Sequence, residues 1–160
     1  MIEDLVSHDI FADNLLLGKS LMFSLRLSPD WHLAPGVGRP EVAATHDRMG
    51  KKWVVTGDAW YVVYHNQRKW AVEMAAHIRP VPENEPPSTG KTISINQHPG
   101  YVSWRSKKRG LPWNRHMVTF MEVVFNCPYS ERQIKFEVSG WCPQEGFEEV
   151  LQSLQHTGCH

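Results

Sequence analysis

The chain is poor in cysteine, with three in 160 residues. That excludes the small secreted domains built on a disulfide framework. It has no run approaching the roughly 20 apolar residues that cross a bilayer as a helix. It has no excess of charge of either sign, since Lys+Arg and Asp+Glu are 17 each. Global electrostatics therefore gives no argument for nucleic acid or an anionic membrane as partner. The opening Met1-Ile2-Glu3-Asp4 is acidic, unlike the basic start of a signal peptide, and a cytoplasmic location is the expectation.

Catalytic signatures are missing as well. There is no Gly-x-Ser-x-Gly elbow. Ser88-Thr89-Gly90-Lys91-Thr92 has the tail of a phosphate loop, but Glu85 stands where the first glycine must be. Ser139-Gly140-Trp141-Cys142 has too little chain after it for a papain-like histidine. We expect no enzyme and no cofactor. Seven Trp and nine His are what the sequence has in plenty. The histidines titrate near neutral pH, so the net charge turns positive in mild acid.

Length and a 41% apolar content fit one globular domain over residues 1–160. Leu5, Ile10, Phe11, Leu15 and Leu17 recur at roughly helical spacing, which predicts an N-terminal helix over 4–17. Leu21, Phe23, Leu25 and Leu27 alternate, which predicts a half-buried strand ended by Pro29 and Asp30. Residues 34–52 hold Pro35, Gly36, Gly38, Pro40 and Gly50 and read as a loop over the sheet.

A hairpin follows from Trp53 to about Ile78, turning at Asn66–Lys69. Pairing His65 with Trp70 puts Tyr61, Val63, Val72 and Met74 on a core face, and Trp60, Val62, Tyr64, Ala71 and Glu73 on a half-polar one. The same register sets His77 opposite Asp58. Strands are predicted at 92–96, 99–106, 116–126 and 132–138, with a basic turn at 107–112. Pro143 and the stripe Phe147, Val150, Leu151, Leu154 predict a closing helix. The expected fold class is α+β: an antiparallel β-sheet of about six strands, covered on one face by N- and C-terminal helices.

Three groups of residues are candidates for function. Trp60 and Tyr64, with the 34–50 loop, offer an aromatic surface for a protein partner. Arg105, Lys107, Lys108 and Arg109, flanked by Trp104 and Trp113, interleave cations with aromatics. That pattern can hold single-stranded nucleic acid, although the neutral chain argues against it. Cys127, Cys159 and His160 form a third group. Cys127 shares parity with Val123 and Phe125, so a Cys127–Cys159 disulfide would tie the final helix to the sheet. Such a bridge closes a loop of about 33 residues and contributes on the order of 3–4 kcal/mol. The alternative is a metal site of Cys127, Cys159 and His160, with His98 or Cys142 as further ligands, although the spacing fits no standard zinc pattern.

Phe23-Ser24-Leu25-Arg26-Leu27-Ser28-Pro29-Asp30-Trp31 resembles the opening strand of PsbP-like domains, where an aromatic-rich strand runs into a Pro–acidic or Gly–Trp turn. The resemblance implies a sheet-and-helix domain acting as a non-enzymatic adaptor for partner proteins. From His98-Pro99-Gly100-Tyr101-Val102, through Cys127-x₄-Arg132, to Cys159-His160, the chain also looks like small archaeal proteins with a Cys-His ending, which imply no activity. The expected function is a protein-binding accessory domain, with the metal- or redox-responsive and nucleic-acid readings as alternatives.

Overall fold

The computed structural model describes residues 4–14, 18–34, 41–49, 52–81 and 90–159. Within them lie ten strands and one helix. In chain order these are β1 (Val6–Asn14), β2 (Gly18–Leu27), β3 (Trp31–Leu33), β4 (Glu41–Met49), β5 (Lys52–His65), β6 (Ala71–Pro80), β7 (Lys91–Ile95), β8 (His98–Arg109), β9 (His116–Cys127), β10 (Arg132–Trp141) and α1 (Gln144–Leu154).

The α+β expectation is overturned: the described residues are mostly β, with a single helix, α1, near the C-terminal end. The predicted N-terminal helix is β1, paired antiparallel with β2 from Val6↔Leu27 to Asn14↔Gly18. Ile10 and Phe11 mimicked a helical stripe because they are consecutive. The strand separates them, with Ile10 buried and Phe11 exposed. A bulge beside this step leaves Met22 as an extra residue on β2, so Met22 and Phe23 are both fully buried. The predicted 34–52 loop is also corrected, because Glu41–Met49 pairs with β5 along its first half. Pro35, Gly36, Gly38, Pro40 and Gly50 lie outside the described residues. The Lys107–Arg109 turn is strand, since β8 runs to Arg109.

The large sheet runs β3-β5-β6-β10-β9-β8-β7, with β4 also beside β5, and every pair is antiparallel. Its inner face carries Tyr61 and Val63 (β5), Met74 and Ile78 (β6), Phe136 and Val138 (β10), Met121 and Val123 (β9), and Val102 (β8), all buried. The β1–β2 hairpin and α1 cover that face through Phe23, Leu25, Phe147, Val150 and Leu154. Alternation on the paired strands makes this one face apolar, and burial of those side chains stabilises the layer by about 1.5–3 kcal/mol each. The β5–β6 register, Tyr64↔Ala71 through Gly57↔Ile78, sets His77 opposite Asp58 as the alternation predicts.

Two turns place the residues that matter below. Asn96 and Gln97 both have positive φ, 49° and 67°, as a two-residue hairpin loop requires, and they start β8 at His98. The β9–β10 connection ends on Glu131 at φ 57° and aligns Cys127 with Arg132. After α1 the chain returns to β2: Ser24 N donates to Gly158 O at 2.7 Å, and Gly158 N to Ser24 O at 2.9 Å. No helix among the described residues is long and apolar enough to cross a membrane.

Candidate functional site

The outer face of the sheet is the one that neither the hairpin nor α1 covers. Register puts Val62, Glu73, Ser139, Phe120 and Arg105 in one row across five strands. The next row is Trp60, Ala75, Glu137, Glu122 and Ser103. Between these rows and the end of β8 lies a groove of about 570 Å³, with Trp60, Val62, Val118 and Phe120 as its apolar part and Glu73, Glu137 and Arg109 among its polar groups. The volume is that of a ligand site. Trp60 is 63% exposed there. Arg105, Lys107 and Arg109 alternate onto this face, and their charged groups sit 5.5, 5.8 and 5.4 Å from the centre of the Phe120 ring.

The remaining predicted surface residues fall elsewhere. Tyr64 is half-buried beside the His32 ring, 5.7 Å away, and does not line the groove. Trp104 points to the opposite face, its ring edge-on to Phe147 at 5.8 Å. Lys108 shares the parity of Trp104, and Trp113 stands 80% exposed in the β8–β9 turn. The cations and the tryptophans therefore do not form one stacking platform. Phe120 was not singled out by the sequence reading; Arg105, Lys107 and Arg109 were, and their alternation onto one face was there to be read.

A polar network closes one end of the outer face. His77 Nδ1 is 2.7 Å from Asp58 Oδ1, and Arg79 Nη2 donates to the same oxygen at 2.9 Å. The hydrogen bond from His77, then Arg79, holds the Asp58 carboxyl below the usual carboxylate range. An Asp–His pair is catalytic when the far ring nitrogen meets a nucleophile. Here His77 Nε2 faces Glu137 Oε2 at 3.6 Å. A carboxyl with a depressed folded-state pKa contributes stability above its unfolded pKa of about 3.9, and loses it as pH falls through the folded value. Asp58→Asn is expected to lower stability at pH 7 by less than about 1 kcal/mol, because the pair is half-exposed. Urea midpoints of the two proteins should converge as pH falls through the folded-state value of Asp58.

The third candidate group lies on the inner side. Cys127 ends β9 and Cys159 follows α1. Both are fully buried and not joined in a disulfide, with Cys159 Sγ 2.7 Å from Cys127 Sγ. Asn96 Nδ2 lies 3.8 Å from Cys159 Sγ. Burial, and then the shared proton with Cys127, pushes the Cys159 thiol up to about 12. Among the described residues the third possible donor beside the two sulfurs is His98; His160 lies outside them. The His98 ring stacks on Phe125 at 6.4 Å and 13°. The ligand atoms of His98, Cys127 and Cys159 all lie within 4.8 Å of one another.

Cys142 is not part of this cluster. It sits near Gly146 and Trp70, and burial and then Glu149 push its thiol up to about 11.

Sequence reasoning also missed Arg132. It is 3% exposed, donating from Nη2 to Cys159 O at 2.8 Å and from Nη1 to Leu21 O at 3.4 Å. Burial lowers its proton affinity, and the neighbouring Cys127 and Cys159 raise it. Its parity with Ile134, Phe136 and Val138 was the available signal.

No family model matches the chain, and no curated protein matches it.

Proposed function

We propose that the chain is a non-enzymatic binding domain that takes an extended segment of a protein partner into the outer-face groove. The observation that carries this reading is the groove itself, on the face of the sheet that the hairpin and α1 leave open, with an apolar part at Trp60, Val62, Val118 and Phe120, Arg109 in its lining, and Arg105 and Lys107 beside the Phe120 ring. The fitting segment places an apolar or aromatic side chain against Phe120, Val118 and Val62, and a carboxylate at Arg109. Aromatic burial supplies affinity and the ion pair fixes the direction of the segment. The environment of His77 supports a role without catalysis.

The test is selection from a displayed peptide library, followed by binding measurements on the selected segments. Peptides joining an aromatic residue to an acidic one are expected. Phe120→Ala should weaken binding at least tenfold. Arg109→Glu should reverse the preference toward a basic residue at the acidic position. Selected peptides that ignore both substitutions would refute the reading. Tight binding of single-stranded oligonucleotides, falling steeply with salt and lost with Arg105, Lys107 and Arg109, would replace it with nucleic-acid binding.

A further inference from the structure

Cys127, Cys159 and His98 converge from the end of β9, the segment after α1 and the start of β8, and all three are buried. Arg132 is buried beside them. Among the described residues no carboxylate pairs with it, and its Nε has no hydrogen-bond partner. A buried guanidinium needs an anion close by. Two thiols supply none, and neither does a disulfide. Two thiolates holding a divalent ion sum to zero charge. Two thiolates holding a monovalent ion sum to −1, which cancels Arg132.

The donor count points the same way. Structural zinc takes four ligands, whereas three donors among the described residues, two of them soft sulfurs, suit a low-coordinate soft cation. We propose that Cys127, Cys159 and His98 form a buried site for a soft monovalent metal ion of the Cu(I) class, with Arg132 balancing the charge of its thiolates. On binding, the ion displaces one proton from each thiol to solvent, two metal–sulfur bonds form, and no electron is transferred. Bonds of about 2.3 Å to each sulfur require the two to part from their present separation. The adjustment falls on Cys159, in the terminal segment that Gly158 holds to Ser24. The site is on the inner side of the sheet, so its failure and that of the outer groove are separately observable.

The experiment uses the full chain, reduced and under anaerobic conditions. Ag(I) serves as a redox-inert probe, and Cu(I) is delivered from a chromogenic chelator. One ion per chain is expected by native mass spectrometry. Cys127→Ser and Cys159→Ser should abolish binding, His98→Gln should weaken it at least tenfold, and Cys142→Ser should leave it unchanged. Because the cysteine variants can lose their fold, X-ray absorption on the copper-loaded wild-type protein provides the second reading, with two sulfurs and one nitrogen expected around the metal. No binding by the reduced wild-type chain would overturn the proposal. So would Zn(II) held as tightly as Cu(I), or a copper shell without sulfur.

Discussion

Phe23→Ala is expected to remove about 3–5 kcal/mol of stability, a large part of the 5–15 kcal/mol typical of a domain. Phe23 is fully buried and sits where the β1–β2 hairpin meets the large sheet. Its ring is edge-on to Phe136 at 5.4 Å and tilted against Tyr61 at 6.3 Å. Truncation removes both aromatic contacts and leaves a cavity between two layers. The neighbours on either side are held by strand hydrogen bonds and cannot collapse into it. Phe11→Ala is the matched control, because Phe11 is 38% exposed on the same hairpin. It should change stability by less than about 1 kcal/mol. Urea denaturation separates the two cases. Equal midpoints would mean that the hairpin does not bear on the core as the geometry indicates.

The parts of the fold legible in the sequence are those in which one alternation is unbroken. Tyr61, Val63, Val72 and Met74 gave both a face and a register, and the Asp58–His77 opposition followed from it. Ile134, Phe136 and Val138, and the stripe on α1, were equally clear. What failed had a local cause. The N-terminal segment was read as a helix because Ile10 and Phe11 are consecutive and the bulge that accommodates their partners lies in β2, not in β1. β4 was hidden by the Pro and Gly residues before it, which pulled the whole stretch into a loop. The basic run at 107–109 was taken for a turn because its charges gave no apolar face, yet that half of β8 is exposed on both sides.

The candidate site was half visible on the same terms. Cys127 and Cys159 were paired from parity and chain end alone, and the sulfurs are indeed neighbours. Proximity in sequence drew attention to His160, which lies outside the described residues, whereas the Asn96-Gln97 turn brings His98, the further ligand weighed above, inward with the parity of Val102. Arg132 escaped because an arginine on a core face is read as a strand terminus unless a buried partner is known.

Gly140→Ala is expected to be severe for a different reason. Gly140 has φ 151°, and a Cβ there would lie 2.4 Å from Ala71 O and 2.8 Å from Val72 Cα. Both atoms are backbone of β6, to which Gly140 is paired through Val72. No side chain can swing aside, so the strand itself must shift. Backbone strain of about 1–3 kcal/mol adds to an overpacking cost of similar size, a total of roughly 2–6 kcal/mol. Gly18→Ala separates the two contributions, since Gly18 also has positive φ, 78°, but a Cβ there meets nothing within 4 Å. It should cost only about 1–2 kcal/mol.

The consequence extends to the outer face, because Gly140 lines the groove together with Ala71 and Val72. Parting β10 from β6 moves Ser139 and Glu73, which share the row of Phe120. A Gly140→Ala protein that still folds should therefore bind groove-directed peptides at least tenfold more weakly, while Gly18→Ala binds them unchanged. If the two variants prove equally stable and bind alike, the close approach of β6 and β10 does not shape the groove, and the apolar floor alone must account for recognition.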